Sequence, residues 1–209
     1  KYYPFMLWFD GNWEKYWTTE NGKEIYRYLK SLDPRLITNN RLGKGDHASA
    51  GAQSVGDFLT PEQTIGAIDM KDPWESCNTL WTQWAWKPND RMKSLKECIQ
   101  TLERTAGGNG NLLLNVGPMM DGRMEARQIG RLKEVGVWLQ KYGESIYGTH
   151  GGPYAPTAAY TSTRKGDRIY IHLLEQKDKS LQLAPLPGVR IKKVYFLKGA
   201  AVPFTQDET

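Results

Sequence analysis

The sequence predicts an α/β fold in which parallel strands alternate with helices, followed by a smaller region of antiparallel strands. Over residues 1–150, short apolar runs that end in polar residues alternate with helical patterns, which is typical of consecutive (β/α) units. From residue 155 onward the pattern changes to short alternating strands separated by turn residues. Such a pattern favours an antiparallel sheet with one solvated face.

The first strand is an apolar run over residues 3–9 that ends directly at Asp10, with Gly11 behind it. A continuous apolar run is typical of a strand that is buried on both faces. In α/β folds, ligands bind beyond the carboxyl ends of the strands. Asp10 is therefore either a functional carboxylate at a loop mouth or a cap of the turn at Gly11. In the first case Trp8, Trp13 and Trp17 would supply flat apolar walls around it, with Trp8 binding the substrate.

The elements that follow alternate in type. Residues 22–32 show helical periodicity after an N-cap among residues 18–20, and residues 36–41 form a short strand with a polar end. Residues 43–72 show little periodicity, and a loop of that length is either functional or disordered. The further predicted elements are a strand over 74–80, a tryptophan-rich loop over 81–89, a helix over 94–105, a strand over 111–116 and a helix over 127–142.

The predicted helices should each bury an apolar face, and the strand over 111–116 is the clearest buried strand. The expected inward residues of the three helices are, in chain order, Ile25, Tyr28, Leu29 and Leu32; Leu95, Cys98, Ile99 and Leu102; and Ile129, Leu132, Val135, Val137, Trp138 and Leu139.

This order predicts the C-terminal part of a (β/α)8-like TIM barrel over residues 1–150 and the beginning of an antiparallel β-sandwich over residues 151–209. A closed barrel typically needs about 250 residues. We therefore expect the barrel to be incomplete in this chain and the chain to be a fragment. The predicted strands of the sandwich are 159–163, 168–174, 180–183 and 191–197.

Composition narrows the function classes. The net charge of +5 comes from scattered Lys and Arg, without a basic run that would suggest nucleic-acid binding, and no apolar run is long enough for a membrane span. Eight Trp and eleven Tyr suit either a core of large side chains or a carbohydrate-binding surface. The two cysteines have no metal spacing, and they leave the redox compartment undetermined.

Carboxylates and indoles are the chemistry that remains, because the sequence has no metal-type cluster, phosphate loop or nucleophile elbow. Paired carboxylates among aromatic side chains are typical of glycosidase active sites. The candidates are Asp10, Glu62 and Glu75. For Glu62 the alternative is the start of a helix, since Thr60-Pro61-Glu62-Gln63 also suits that role.

Five motifs over residues 7–149 resemble, in order, the α-L-fucosidases of glycoside hydrolase family 29. They are Trp8-Phe9-Asp10-Gly11, Asn39-Asn40-Arg41-Leu42-Gly43, Thr60-Pro61-Glu62-Gln63, Trp74-Glu75-Ser76-Cys77, and the run from Gly110 to Pro118 with Asp121-Gly122, closed by residues 142–149. The resemblance implies a barrel with a C-terminal β-sandwich. It also implies retaining hydrolysis of terminal α-L-fucose. Because hydrolysis of a glycosidic bond needs only water and carboxylates, we expect no metal or organic cofactor.

The resemblance carries roles onto individual residues. Asp10 matches the nucleophile, and Arg41 matches a sugar-contacting arginine, although Asn40 and Leu42 replace the more usual Asp and Trp. Glu62 is the first choice for the general acid/base and Glu75 the second. Trp84 resembles the aromatic residue that packs on the apolar face of the sugar, and His47 is either a glycan contact or a plain loop histidine. We expect Trp81 and Trp86 to serve in packing and His150 and His172 to be structural residues. Asn111 and Asn115 are expected to bond to backbone groups.

The expected partner is a fucosylated oligosaccharide or glycoconjugate, with no nucleic acid or membrane, and a homo-oligomer is left open. From the resemblance alone, the location is secreted or periplasmic, or lysosomal in a eukaryote. The family's further fucose-binding histidines and tryptophan have no matching segment before Lys1. Two alternatives stay open, namely a non-catalytic carbohydrate-binding protein on the same scaffold and a glycosidase for a related sugar such as α-L-galactose.

Overall fold

The computed structural model describes residues 3–65, 68–175 and 178–207. Strands and helices alternate in its first part, as predicted. The helices are α1 (Thr19–Leu32), α2 (Leu95–Gly107) and α3 (Ala126–Tyr142), followed by a 3-10 turn at Gly143–Ser145. The strands are β1 (Met6–Leu7), β2 (Ile37–Thr38), β3 (Glu75–Thr79), β4 (Asn111–Asn115), β5 (His150–Gly151), β6 (Tyr160–Lys165) and β7 (Arg168–Leu173).

Five segments of the first part run parallel in chain order. β1 pairs with β2, and β3 pairs with β4, both in parallel register. Residues 55–62 join the two pairs through single parallel bridges. These bridges are Asn39 to Phe58, Arg41 to Val55, Leu59 to Trp74, and Glu62 to Cys77.

The bridging segment corrects the prediction of a long irregular loop over residues 43–72. Val55 and Leu59 are buried, and the amide of Leu59 donates to the carbonyl of Pro73 at 2.9 Å. Because the segment pairs through isolated bridges rather than a continuous ladder, it shows no sustained alternation that a sequence pattern would reveal. Its polar end brings Thr60 and Glu62 beside the ends of the neighbouring strands.

The helix starts follow local signals. Thr18 and Ser94 are the N-caps of α1 and α2, and each closes a reciprocal capping box with the side chain three residues later. The predicted apolar faces are only partly correct. Cys98 and Ile99 are buried, but Leu32 and Val137 are 64% and 65% exposed, and Tyr28 and Ile129 are also exposed.

The strand β4 is less buried than its sequence predicts. Leu112, Leu113 and Leu114 are only half-buried, and Asn111 is exposed. In the described part of the chain β4 pairs only with β3, so its second edge carries no neighbour. The core lies where this sheet meets α2 and α3, and it is formed by Leu80, Trp81 and Cys98 with Met92, Leu114, Val116 and Val135 around them.

A three-stranded antiparallel sheet, in the order β5-β6-β7, packs against α2. The close approach requires glycine at 107, because a Cβ there would lie 1.8 Å from the Thr161 hydroxyl. The predicted strands over 180–183 and 191–197 are wrong. The described residues of this region pair only through one antiparallel bridge, between Tyr195 and Ala201. A segment without a continuous partner forms no ladder of backbone hydrogen bonds.

His172 joins the sheet to α2 through buried polar contacts, as expected for a structural histidine. Its Nε2 lies 3.0 Å from the Thr163 hydroxyl, and its Nδ1 lies 3.2 Å from a carboxylate oxygen of Glu103. Thr163 donates to the carbonyl of Ser145 at 2.6 Å, so it accepts from His172. His150, in contrast, is exposed on β5. None of the helices in the described ranges is long and apolar enough to cross a bilayer.

Candidate active site

Arg41 is the centre of the candidate site. Its side chain is only 2% exposed, and its guanidinium binds two carboxylates: Nη1 lies 2.8 Å from Asp10 Oδ1, and Nη2 lies 2.9 Å from Glu62 Oε2. Its Nε donates to the Thr60 hydroxyl at 3.0 Å. The structure therefore brings together three of the residues that the sequence singled out.

Asp10 reaches Arg41 because two hydrogen bonds hold the ends of β1 and β2 together. The amide of Phe9 donates to Asn39 Oδ1, and Asn39 Nδ2 donates to the carbonyl of Phe9, each at 2.8 Å. Gly11 then turns the chain away with φ of 91°, a conformation that favours glycine. The Asp10 side chain stays 52% exposed, and so it is open to a ligand.

Asp10 does not cap the turn that follows it. The turn is closed by backbone groups, with the amide of Glu14 donating to the carbonyl of Gly11 at 3.1 Å. Among the residues in the described ranges, the Asp10 carboxylate bonds only to Arg41. The turn-cap interpretation of Asp10 is therefore wrong.

Glu62 lies on an extended segment and not at a helix start. Its neighbours pair with β3 on both sides, because the amide of Gln63 donates to the carbonyl of Cys77 at 2.8 Å and the amide of Cys77 donates to Pro61 at 3.0 Å. The helix-start interpretation is wrong for that reason. The Glu62 side chain is 39% exposed at the mouth of the site.

Glu75 is linked to the site through Trp8. The Trp8 indole donates to Glu75 Oε1 at 3.1 Å, and the Arg41 guanidinium lies 4.7 Å from the centroid of the Trp8 ring. Burial raises the pKa of Glu75, and the hydrogen bond from Trp8 opposes this rise. Both predicted general-acid candidates thus lie near Arg41. Glu62 contacts it directly, and Glu75 is linked to it through Trp8.

Two further side chains near the carboxylates have shifted pKa values. Burial raises the pKa of the Cys77 thiol to about 12, with Arg41 acting in the opposite direction, so the thiol stays protonated and is no nucleophile. Burial, reinforced by the positive charge of Arg41, lowers the pKa of His47. The His47 ring is therefore neutral at neutral pH.

The tryptophans of the loop over 81–89 divide into packing and surface residues. Trp81 is 2% exposed, and Trp86 donates to Glu125 Oε2 at 2.6 Å, as expected for packing. Trp84 is 39% exposed, and its carbonyl accepts from Asn115 Nδ2 at 2.8 Å. Within the described part of the chain no hydrogen bond or ring contact joins Trp84 to Arg41, Asp10 or Glu62.

Sequence reasoning missed two buried polar residues of the site, Thr60 and Asn12. Thr60 is fully buried, accepts from Arg41 and donates to Asn40 Oδ1 at 3.0 Å. Asn12 is 5% exposed and contacts His47. Their only signal in the sequence is their position within three residues of a candidate carboxylate. In the ranges that the structure describes, no group of three or more His, Cys, Asp or Glu side chains is placed to hold a metal ion.

Comparison with known proteins identifies the family of this chain. A family profile described as alpha-L-fucosidase matches residues 1–144, including Asp10, Arg41, Glu62 and Glu75. The chain belongs to the α-L-fucosidase family. A curated α-L-fucosidase of Branchiostoma floridae is 29% identical over 189 residues, which cover 83% of this chain and 40% of that relative.

Two solved structures extend the similarity to the fold. α-L-Fucosidase isoenzyme 1 from Paenibacillus thiaminolyticus is 32% identical with a TM-score of 0.81, over 96% of this chain and 49% of that one. The Thermotoga maritima α-fucosidase in complex with fucose is 27% identical with a TM-score of 0.71, over 98% of this chain and 46% of that one. The chain therefore spans less than half the length of these members of the α-L-fucosidase family.

Arg41→Lys should destabilise the protein, because an ammonium group cannot bind both carboxylates and Thr60 at once. We expect the free energy of unfolding of the full-length protein to fall by about 1–3 kcal/mol, the cost of leaving buried polar groups unpaired. Chemical denaturation measures this change. The matched control is Arg35→Lys, since Arg35 pairs with Asp33 on the surface with its side chain 88% exposed. Equal stability of the two variants would contradict the central role of Arg41.

Proposed function

We propose that the protein is a retaining exo-glycosidase that hydrolyses terminal α-L-fucosyl linkages of oligosaccharides or glycoconjugates. One observation carries the proposal: in a chain of the α-L-fucosidase family, the buried guanidinium of Arg41 holds the carboxylates of Asp10 and Glu62 at adjoining strand ends. Retaining glycosidases use two carboxyl groups about 5–5.5 Å apart, one as nucleophile and one as acid and base.

In the proposed first step, a carboxylate oxygen of Asp10 attacks the anomeric carbon of fucose. The bond from that carbon to the glycosidic oxygen breaks, and Glu62 gives its proton to the departing oxygen. In the second step, Glu62 takes a proton from water, and the water oxygen displaces Asp10 from the anomeric carbon. The net change is hydrolysis with retention, and both side chains return to their starting states.

Arg41, which the resemblance matches to a sugar-contacting arginine, would also act as a positioning residue in these steps. Its planar fork presents two nitrogens to two different carboxylates, which fixes their relative orientation before substrate arrives. Burial of the guanidinium and its bond to Thr60 keep the fork from turning. Preorganisation of this kind reduces the cost of aligning the reacting groups.

Glu75 is the second choice for the acid/base, and one property favours it. Its burial raises its pKa, and a general acid with a raised pKa keeps its proton closer to neutral pH. Its carboxylate, however, is half-buried and accepts from the Trp8 indole, whose ring lies on the Arg41 guanidinium. We therefore keep Glu62 as the first choice, because its carboxylate is more open to a leaving group.

We also propose that the parallel segments are the C-terminal part of a (β/α)8-like barrel over residues 1–150, and that residues 151–209 begin a β-sandwich domain. The parallel order of five consecutive segments, each ending in polar residues, supports the first part. The antiparallel sheet β5-β6-β7 supports the second. In such a barrel Asp10, Arg41 and Glu62 would all lie at the catalytic, carboxyl end.

The test is release of the chromophore from an aryl α-L-fucoside by the full-length protein, with the aryl α-L-galactoside assayed beside it. The proposal predicts turnover of the fucoside at a higher kcat/KM than the galactoside. Preference for the galactoside would shift the assignment to the related sugar. Binding of fucose without turnover of either substrate would indicate a carbohydrate-binding protein.

A further inference from the structure

His47 is held between the two segments that carry the candidate carboxylates. Its Nε2 lies 3.0 Å from Asn12 Oδ1, and Asn12 follows Asp10 by two residues. Its carbonyl accepts from the amide of Thr60 at 2.8 Å, and Thr60 precedes Glu62 by two residues. A half-buried imidazole therefore stands where the nucleophile loop and the acid/base segment meet.

The contacts of Asn12 determine the tautomer of His47. Asn12 Nδ2 donates to the carbonyl of Gly43, so the amide oxygen is the atom that faces His47. An amide oxygen only accepts hydrogen bonds, and His47 Nε2 must therefore carry the hydrogen. Burial and Arg41 lower the pKa of His47 against the opposing charges of Asp10, Glu62 and Asp46, which leaves the ring neutral. Its Nδ1 is then a hydrogen-bond acceptor.

This acceptor is unused within the protein. In the described ranges, the only hydrogen bond of the His47 ring is the one to Asn12. The contacts to Asn12 and Thr60 place the ring between the segments of Asp10 and Glu62, and the charges of Arg41, Asp10, Glu62 and Asp46 act on its pKa. A fixed acceptor beside two reacting carboxylates is suited to a hydroxyl group of the substrate.

The position favours the sugar that leaves rather than the sugar that is attacked. The acid/base contacts the glycosidic oxygen, and the saccharide beyond that oxygen must lie next to it. His47 adjoins the Glu62 segment and belongs to a loop outside the strands. We propose that His47 is a specificity-determining residue whose Nδ1 accepts a hydrogen bond from a hydroxyl of the leaving-group sugar. This inference rests on the proposed glycosidase function and adds a residue that recognises the sugar beyond the glycosidic oxygen.

The test compares a fucosylated disaccharide with an aryl α-L-fucoside that carries no hydroxyl on its leaving group. His47→Gln retains an amide donor for Asn12 and leaves carbon at the position of Nδ1, and His47→Leu, measured beside it, removes the acceptor altogether. We expect the ratio of kcat/KM for the disaccharide to that for the aryl fucoside to fall about threefold to tenfold, as for the loss of one hydrogen bond. His150→Gln is the matched control, because His150 is exposed on β5.

Every outcome decides the inference. An unchanged ratio in His47→Gln would overturn it, because His47 would then affect both substrates equally or neither. A second measurement needs no variant: with the unsubstituted protein, disaccharides that lack one leaving-group hydroxyl at a time should include one with a similar threefold to tenfold loss. Equal rates for all of them would also overturn it. Failure of the unsubstituted protein on both parent substrates would instead be the failure of the proposed function.

Discussion

Asp10→Ala is expected to lower kcat of the full-length protein on an aryl α-L-fucoside by on the order of 10⁴-fold, because the covalent intermediate can no longer form. Substrate binding should survive, since the Asp10 side chain is half-exposed and its only hydrogen-bond partner in the described ranges, Arg41, keeps its bonds to Glu62 and Thr60. Steady-state kinetics and a binding titration with fucose measure the two effects separately.

A chemical rescue distinguishes a missing nucleophile from a damaged site. In Asp10→Ala the space of the carboxylate admits a small anion, and azide should attack the anomeric carbon from the same face as Asp10. The product would then be a fucosyl azide of inverted configuration. Asp121→Ala is the matched control, because Asp121 lies on an exposed turn and pairs with Arg123. Retained hydrolysis in Asp10→Ala would refute the nucleophile assignment.

Glu62→Gln should cost on the order of 10²–10⁴-fold in kcat/KM for a fucosylated disaccharide, whose leaving oxygen needs a proton. The loss should be much smaller for an aryl fucoside with a strongly acidic phenol, because that phenolate leaves without protonation. The dependence of kcat/KM on leaving-group acidity is the measurement.

Glu75→Gln is the comparison that separates the two candidates. The glutamine oxygen can still accept from the Trp8 indole, so the variant removes the acidic proton and retains the contact. We expect a uniform and modest change across leaving groups. If Glu75→Gln shows the steep dependence on leaving-group acidity and Glu62→Gln does not, the acid/base is Glu75.

The sequence predicted those elements whose signals are local. The N-cap predicted among residues 18–20 and the helix predicted over 94–105 agree within a few residues with the observed α1 (Thr19–Leu32) and α2 (Leu95–Gly107). The incorrect predictions concern segments whose structure depends on which other segments lie beside them. Residues 55–62 join the sheet through isolated bridges, and the strand predicted over 180–183 has no partner to pair with in the described part of the chain.

The candidate site shows the same division. Asp10 was a candidate because it ends an apolar run, and Arg41 because its motif resembles the family, and the structure brings their charged atoms to 2.8 Å. The role of Arg41 as a bridge between two carboxylates, however, depends on Glu62 approaching from a segment without strand periodicity. The hydrogen bond between Asn12 and His47 likewise joins two loops 35 residues apart, and neither residue carries a pattern of its own.

The most direct test of the central claim is covalent trapping of the full-length protein with a 2-fluoro-fucosyl fluoride, followed by mass spectrometry of the intact protein and its peptides. The fluorine at C2 slows both steps, and the reactive fluoride leaving group allows the intermediate to accumulate. We predict one 2-fluorofucosyl group per protein, attached to the peptide that contains Asp10. A label on any other residue, or hydrolytic turnover without a trapped intermediate, would contradict the account.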